Sequence, residues 1–136
     1  MRLWHQSMIP YLDRQRLLGA HRECCALRGA GWGRAHATVN YVFENKPEKL
    51  VAYHKLIMRE MRSRGYHPDE IWENPAYRGK TLGVQEEWVD SAEVETLLNK
   101  TIVGEIHTLY QEHNLEYLSD CVNNLKQKGV EFPYEK

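Results

Sequence analysis

No stretch of this 136-residue chain approaches the roughly 20 consecutive apolar residues that a bilayer span requires. A signal-peptide core is missing too, because Met1-Arg2-Leu3-Trp4-His5-Gln6 turns polar too soon. Neither membrane insertion nor export by that route is therefore expected, and a cytoplasmic location is. Cysteine is scarce: Cys24, Cys25 and Cys121 are an odd set without metal-finger spacing. Adjacent Cys24 and Cys25 rarely bridge each other, since a disulfide wants its Cα atoms well separated and its Cβ atoms facing. Reduced, partly buried thiols are the expectation. Internal repeats, low-complexity segments and linkers are absent, so residues 1–136 read as a single domain. Serine-triad, P-loop, dinucleotide-binding and zinc-protease patterns are absent as well.

What is present is an ordinary globular balance, 42% hydrophobic and 27% charged, with the charges unevenly placed. Residues 1–67 hold 12 Lys/Arg against 5 Asp/Glu, a net of +7, whereas residues 68–136 hold 6 against 14, a net of −8. The basic half could present a surface to a polyanion, or the two halves could attract each other in the fold.

Helical signals dominate. Asp13 can cap a helix that Gly29 stops, with Leu17, Leu18, His21, Cys24, Cys25 and Arg28 on one side at helical intervals. The other side, with Arg16, Gly19, Ala20, Glu23 and Ala26, is small-residued around Glu23, so something bulky could approach it. His36–Phe43 is β-branched and aromatic enough for a short strand, although helical packing fits equally. A second helix runs from Pro47 to Gly65 with Leu50, Tyr53, Ile57 and Met61 as its core stripe. Lys55, Arg59 and Arg62 form a basic ridge outside. After a loop-like stretch at 66–83, acidic helices are expected at about 86–98 and 101–128, the latter broken near Asn114. The fold class is all-α: a compact helical fold of three or more main helices with long loops. His21 shares a helix face with Cys24 or Cys25 at ligand-compatible spacing, but no second pair completes a set, so no metal site and no cofactor are expected.

Three segments stand out: Met1-Arg2-Leu3-Trp4, Arg22-Glu23, and His36-x-Thr38-x-x-Tyr41 after the glycine turn. In order and spacing they resemble the phage-type pyrimidine-dimer DNA glycosylase and abasic-site lyase family. The resemblance runs through Arg64-Gly65-Tyr66, with a weaker echo at Tyr77-Arg78-Gly79. It implies a metal-free repair enzyme acting on double-stranded DNA that contains a base lesion or abasic site. It further implies a nucleoid-associated location and no obligate protein partner. Met1 would supply the nucleophilic α-amine and Glu23 the catalytic carboxylate. Arg2 and Arg22 would hold phosphates or the displaced strand, and Gln15 and His36 match positions near the DNA. His36 could equally support the glycine turn. With Arg34 and the Lys55/Arg59/Arg62 ridge, these residues form the expected DNA-binding set.

The chain departs from the phage pattern in several places. Phage-type members expose threonine after methionine removal, whereas Arg2 here would block that removal and leave Met1 in place. Arg16 and Ala26 stand where the phage enzyme has histidine and arginine. Its aromatic, basic C-terminal tail, linked to dimer recognition, has no counterpart in residues 130–136. The alternative reading is a non-catalytic nucleic-acid-binding protein of the same fold. A weaker one is an enzyme for a modified base or an RNA-linked sugar.

Overall fold

The structure, a computed structural model, describes residues 2–132. Met1 and the end of the tail, 133–136, lie outside the described residues. Six α-helices are described: α1 (Arg14–Arg28), α2 (Asn40–Glu44), α3 (Pro47–Ser63), α4 (Gly79–Leu82), α5 (Ser91–Ile102) and α6 (Leu115–Gln127). Short 3-10 turns lie at Gln6–Tyr11, Glu70–Glu73 and Glu86–Trp88. No strand occurs among the described residues, only an isolated bridge between Tyr77 and Val84. None of these helices is long and apolar enough to cross a membrane.

Helix α3 is the central element, packed against both α1 and α5. Pro47 at its first turn needs no N–H partner, and Gly65, at φ +83°, takes the left-handed conformation that ends it. The expected stripe Leu50, Tyr53, Ile57 and Met61 is buried, and Val51, Ala52, His54 and Met58 join it. The burial therefore extends well around the helix, because it has neighbours on more than one side. In α1 the buried residues are Leu17, Ala20, Cys24, Leu27 and Arg28; Leu18, His21 and Cys25 are only half-buried.

The strand reading of His36–Phe43 gives way to the helical one. Val39 and Val42 are fully buried three residues apart, a helical spacing, and the Asn40 side chain accepts the His36 N–H at 2.8 Å. Before it, Gly31 packs so tightly on α1 that a Cβ would lie 2.7 Å from the Ala26 carbonyl oxygen. The acidic helices are shorter than expected. Asp90 accepts from the N–H groups of Ala92 and Glu93, fixing the start of α5 at Ser91, and Gly104 at φ +80° follows its end. The chain stays non-helical until Asn114, which caps α6 by accepting from the Tyr117 N–H at 2.9 Å.

The N-terminal segment is threaded into the interior. Leu3, Trp4, His5 and Gln6 are all buried, and their polar groups are met mostly by residues far along the chain. The Tyr53 hydroxyl donates to the Trp4 carbonyl at 2.6 Å, and the Tyr117 hydroxyl to that of Leu3. Gln6 donates its N–H to His113 Nδ1 at 3.0 Å and accepts from the Leu109 N–H at 2.8 Å. With Nδ1 accepting, His113 carries its proton on Nε2 and donates to the Tyr41 hydroxyl at 2.8 Å. Burial, aided by the charge of His5, pushes the His113 pKa down to about 3. Bonds that span more than 100 residues thus fix the direction in which the chain begins.

Candidate active site

Glu23 projects from α1 into a cleft of about 390 Å³. This volume falls within the roughly 300–1,000 Å³ common for small-molecule sites. Helix α1 supplies one wall through Gln15, Gly19 and Glu23, and the small side chains of Gly19 and Ala20 keep the space beside the carboxylate open. Arg2 and Trp4 of the threaded N-terminal segment border it, as does Thr38. Asn124 of α6 and Lys128, just past its end, also line it.

Burial raises the Glu23 pKa, and the positive charges of His36 and Arg22 oppose that shift without cancelling it. Its Oε2 is buried with no hydrogen-bond partner among the described residues, and so is Oδ1 of Asn124. Buried acceptors of this kind are uncommon, because each forgoes a bond to water that folding did not replace. Arg2 is held in place by donation to Cys121 Sγ at 3.8 Å and by stacking over the Tyr117 ring, 5.8 Å from its centroid.

Of the expected site residues, Arg2, Gln15, Arg22 and Glu23 come together in this cleft. His36 lies exposed beside it, bonded to Thr38 Oγ1 at 3.0 Å, with its charge felt at Glu23. Arg34 is exposed and folds back onto the Ala30 carbonyl at 2.9 Å. Met1 falls outside the described residues. Asn124 and Lys128 were not foreseen, since nothing local distinguishes them from solvated helix residues about 100 positions after Glu23.

The basic ridge does not join this cleft. It lies over a different depression, with Lys55 paired to Glu73 at 3.5 Å and Glu95 at 3.7 Å, and Arg62 to Glu73 at 2.6 Å. Acidic residues of the C-terminal half thus pair with Lys55 and Arg62; Lys55 is half-buried, while Arg59 and Arg62 are exposed. Here the two halves attract each other, and the ridge stands apart from the cleft of Glu23.

Tertiary packing also completes a cluster that the sequence left open. His54 of α3 joins His21 and Cys25, with one ligand atom from each lying within 4.8 Å of the others. Arg28 argues against a metal there. Its Nη1 donates to His54 Nδ1 at 3.0 Å, so the His54 proton sits on Nε2 and points at His21 Nδ1, 2.8 Å away. The nitrogen a metal would need is protonated, and a guanidinium stands behind it. Burial and the Arg28 charge keep His54 neutral. Arg28 itself is fully buried, donates to the carbonyls of Trp72, Asn74 and Tyr77 at 2.7–2.9 Å, and lies over the Trp72 ring. Its pKa is pushed down to about 10 by burial.

The model of the family described as pyrimidine dimer DNA glycosylase matches residues 1–74. No curated protein and no solved structure matches. The matched stretch holds Arg2, Gln15, Arg16, Arg22, Glu23 and Thr38, so of the cleft's charged and polar lining only Asn124 and Lys128 lie beyond it. Because that stretch is more than half of the sequence, the chain belongs to the pyrimidine dimer DNA glycosylase family.

Proposed function

We propose that the protein excises a damaged pyrimidine from duplex DNA and then cuts the strand at the resulting abasic site, with the α-amine of Met1 as nucleophile. The observation that carries this reading is the Glu23 carboxyl, drawn out of water in a cleft bordered by Arg2. Arg2 directly follows Met1 in the sequence. An α-amino group, with pKa near 7.7–8.0, is neutral far more often at physiological pH than a lysine near 10.4. The Arg2 and Arg22 charges favour the neutral form further.

In the first step the amine attacks the sugar C1′ and the C1′–base bond breaks. Its electron pair leaves with the base, which takes up a proton. The ammonium so formed loses a proton, its nitrogen pair forms C1′=N as the C1′–O4′ bond breaks, and O4′ takes up a proton, leaving a ring-opened, protonated imine. That imine accepts the electrons released when a C2′ proton is removed, and the C3′–oxygen bond breaks with phosphate as leaving group. Water then hydrolyses the imine and frees the amine. Glu23 is placed to hold and return protons through these steps and to stabilise the cationic sugar. Burial raises its pKa, the direction that favours holding a proton. Arg2, Gln15 and Arg22 bind the strand at the cleft, with Arg34 and His36 on the DNA beyond it. The lesion is exposed by bending the duplex or flipping a nucleotide, since C1′ is not reachable within an intact stack.

Borohydride trapping on a duplex with one abasic site tests this. The expected product is a covalent adduct on the N-terminal peptide, abolished by N-terminal acetylation. An adduct on Lys55 or another lysine would overturn the assignment to Met1. Strong binding without any adduct would favour the non-catalytic reading.

A further inference from the structure

The carboxamide of Asn124 is the feature of the cleft that strand cleavage does not use. Helix α6 lies outside the matched segment, yet it lines the same cleft as Glu23. Its approach is held by the Tyr117 bond to Leu3 and the Arg2 bond to Cys121, so Asn124 belongs to a fixed wall. Its Oδ1 is buried and lacks a partner among the described residues. Should the amide be turned about, the same position would present a donor, and the group would still need a partner with complementary chemistry.

The chemistry of DNA limits that partner. Phosphate oxygens only accept, and the deoxyribose inside a strand has no hydroxyl. The hydrogen-bond donors of DNA are therefore the N–H groups of its bases. The surroundings agree: the depression that continues from Arg2 along α6 is lined by Asp120, Asn123, Asn124 and Gln127, amides with one acid, which suit base edges better than phosphates. A pyrimidine offers N3–H beside a carbonyl oxygen when it is thymine, the complement of one carboxamide. Cross-linking through C5 and C6 leaves that imide edge intact.

We propose that Asn124 reads the imide edge of the pyrimidine whose sugar is attacked, with Oδ1 accepting from N3–H and Nδ2 donating to the adjacent carbonyl. This rests on the glycosylase and lyase reading above. Asn124 contacts the base and takes no part in bond breaking, so its effect depends on the base being present.

The test compares the parent protein with Asn124→Ala and Asn124→Ser on two duplexes, one with a single thymine dimer and one with an abasic site at the same position. Since Oδ1 has no partner to lose, both variants should melt with the parent. Single-turnover cleavage of the dimer should fall about tenfold or more, the range for an unmet buried hydrogen bond, while cleavage at the abasic site stays within about twofold. N3-methylation of the dimer should slow the parent similarly and add nothing to the loss in Asn124→Ala. Equal losses on both duplexes, or none on the dimer, would overturn the proposal. A loss on abasic DNA that varies with the opposite base would assign Asn124 to the other strand and overturn it too. Equilibrium binding separates this proposal from the reading beneath it. A parent that cleaves neither duplex sinks the catalytic reading, whereas base reading still requires a preference for dimer over abasic DNA that Asn124→Ala erases.

Discussion

Helix α1 carries two charged groups drawn out of water, Glu23 and Arg28, and the protein treats them in opposite ways. Around Arg28, the two terminal nitrogens are matched by carbonyls of the 72–77 loop and by His54, leaving only Nε without a partner among the described residues. Around Glu23, a buried carboxylate oxygen and the Asn124 oxygen go unmet beside open space. A satisfied polar cluster fixes one arrangement of the chain, here the loop following α3. An unsatisfied one beside a cleft is a place where folding has left bonds for a ligand to make. The contrast teaches that Arg28 serves the fold, and it supports giving Glu23 to the chemistry.

The largest effect should come from breaking the open side of this comparison. Glu23→Gln keeps the shape and removes the charge, so strand cleavage should fall on the order of 100–10,000-fold in single-turnover assays, with DNA affinity retained. Parent-like cleavage by this variant would make Glu23 an ordinary cleft residue. On the satisfied side, Arg28→Met removes one cation and strands several buried acceptors. It should destabilise the fold by about 3–5 kcal/mol, read as a drop on the order of 10 °C in Tm. A Tm within a degree or two of the parent would show that the loop does not depend on Arg28.

Acid should separate the two sides further. His113 has its pKa pushed down to about 3 by burial, against an unfolded value near 6.5, so the unfolded chain binds its proton first. Its contribution to stability is complete above pH about 6.5 and is lost as pH falls toward about 3, by up to roughly 1.4 kcal/mol per pH unit. Histidines 5, 21 and 54, also shifted downward by burial, act in the same direction. Denaturant melts across pH 4–7 should therefore steepen below pH about 6.5, and His113→Gln should make the dependence shallower. A stability flat across that range would contradict the buried neutral histidines.

The smallest effect is reserved for the paired ridge. Arg62→Gln should change stability by less than about 1 kcal/mol and leave the salt dependence of DNA binding unaltered, whereas Arg22→Gln should reduce the slope by about 0.9. If both variants flatten the slope equally, the ridge contacts DNA in spite of Glu73.

By itself, the sequence determined the helices and their main faces, because capping and periodicity are local. Asp13 to Gly29, Pro47 to Gly65 and the break at Asn114 are legible from propensity, turn residues and spacing. The residues 36–43 were not, since a stretch so short and β-branched carries either period, and only the burial of Val39 and Val42 decided for a helix. The Arg22-Glu23 pair in its context pointed to the family, which the match over residues 1–74 bears out. Long-range partners belonged to the tertiary structure alone. Glu73 and Glu95 neutralise Lys55 from distant segments, His54 meets His21 across two helices, and α6 brings Asn124 to the cleft of Glu23. No periodicity encodes such meetings, because they depend on how whole helices pack, and packing energy is shared among many contacts that no single residue announces.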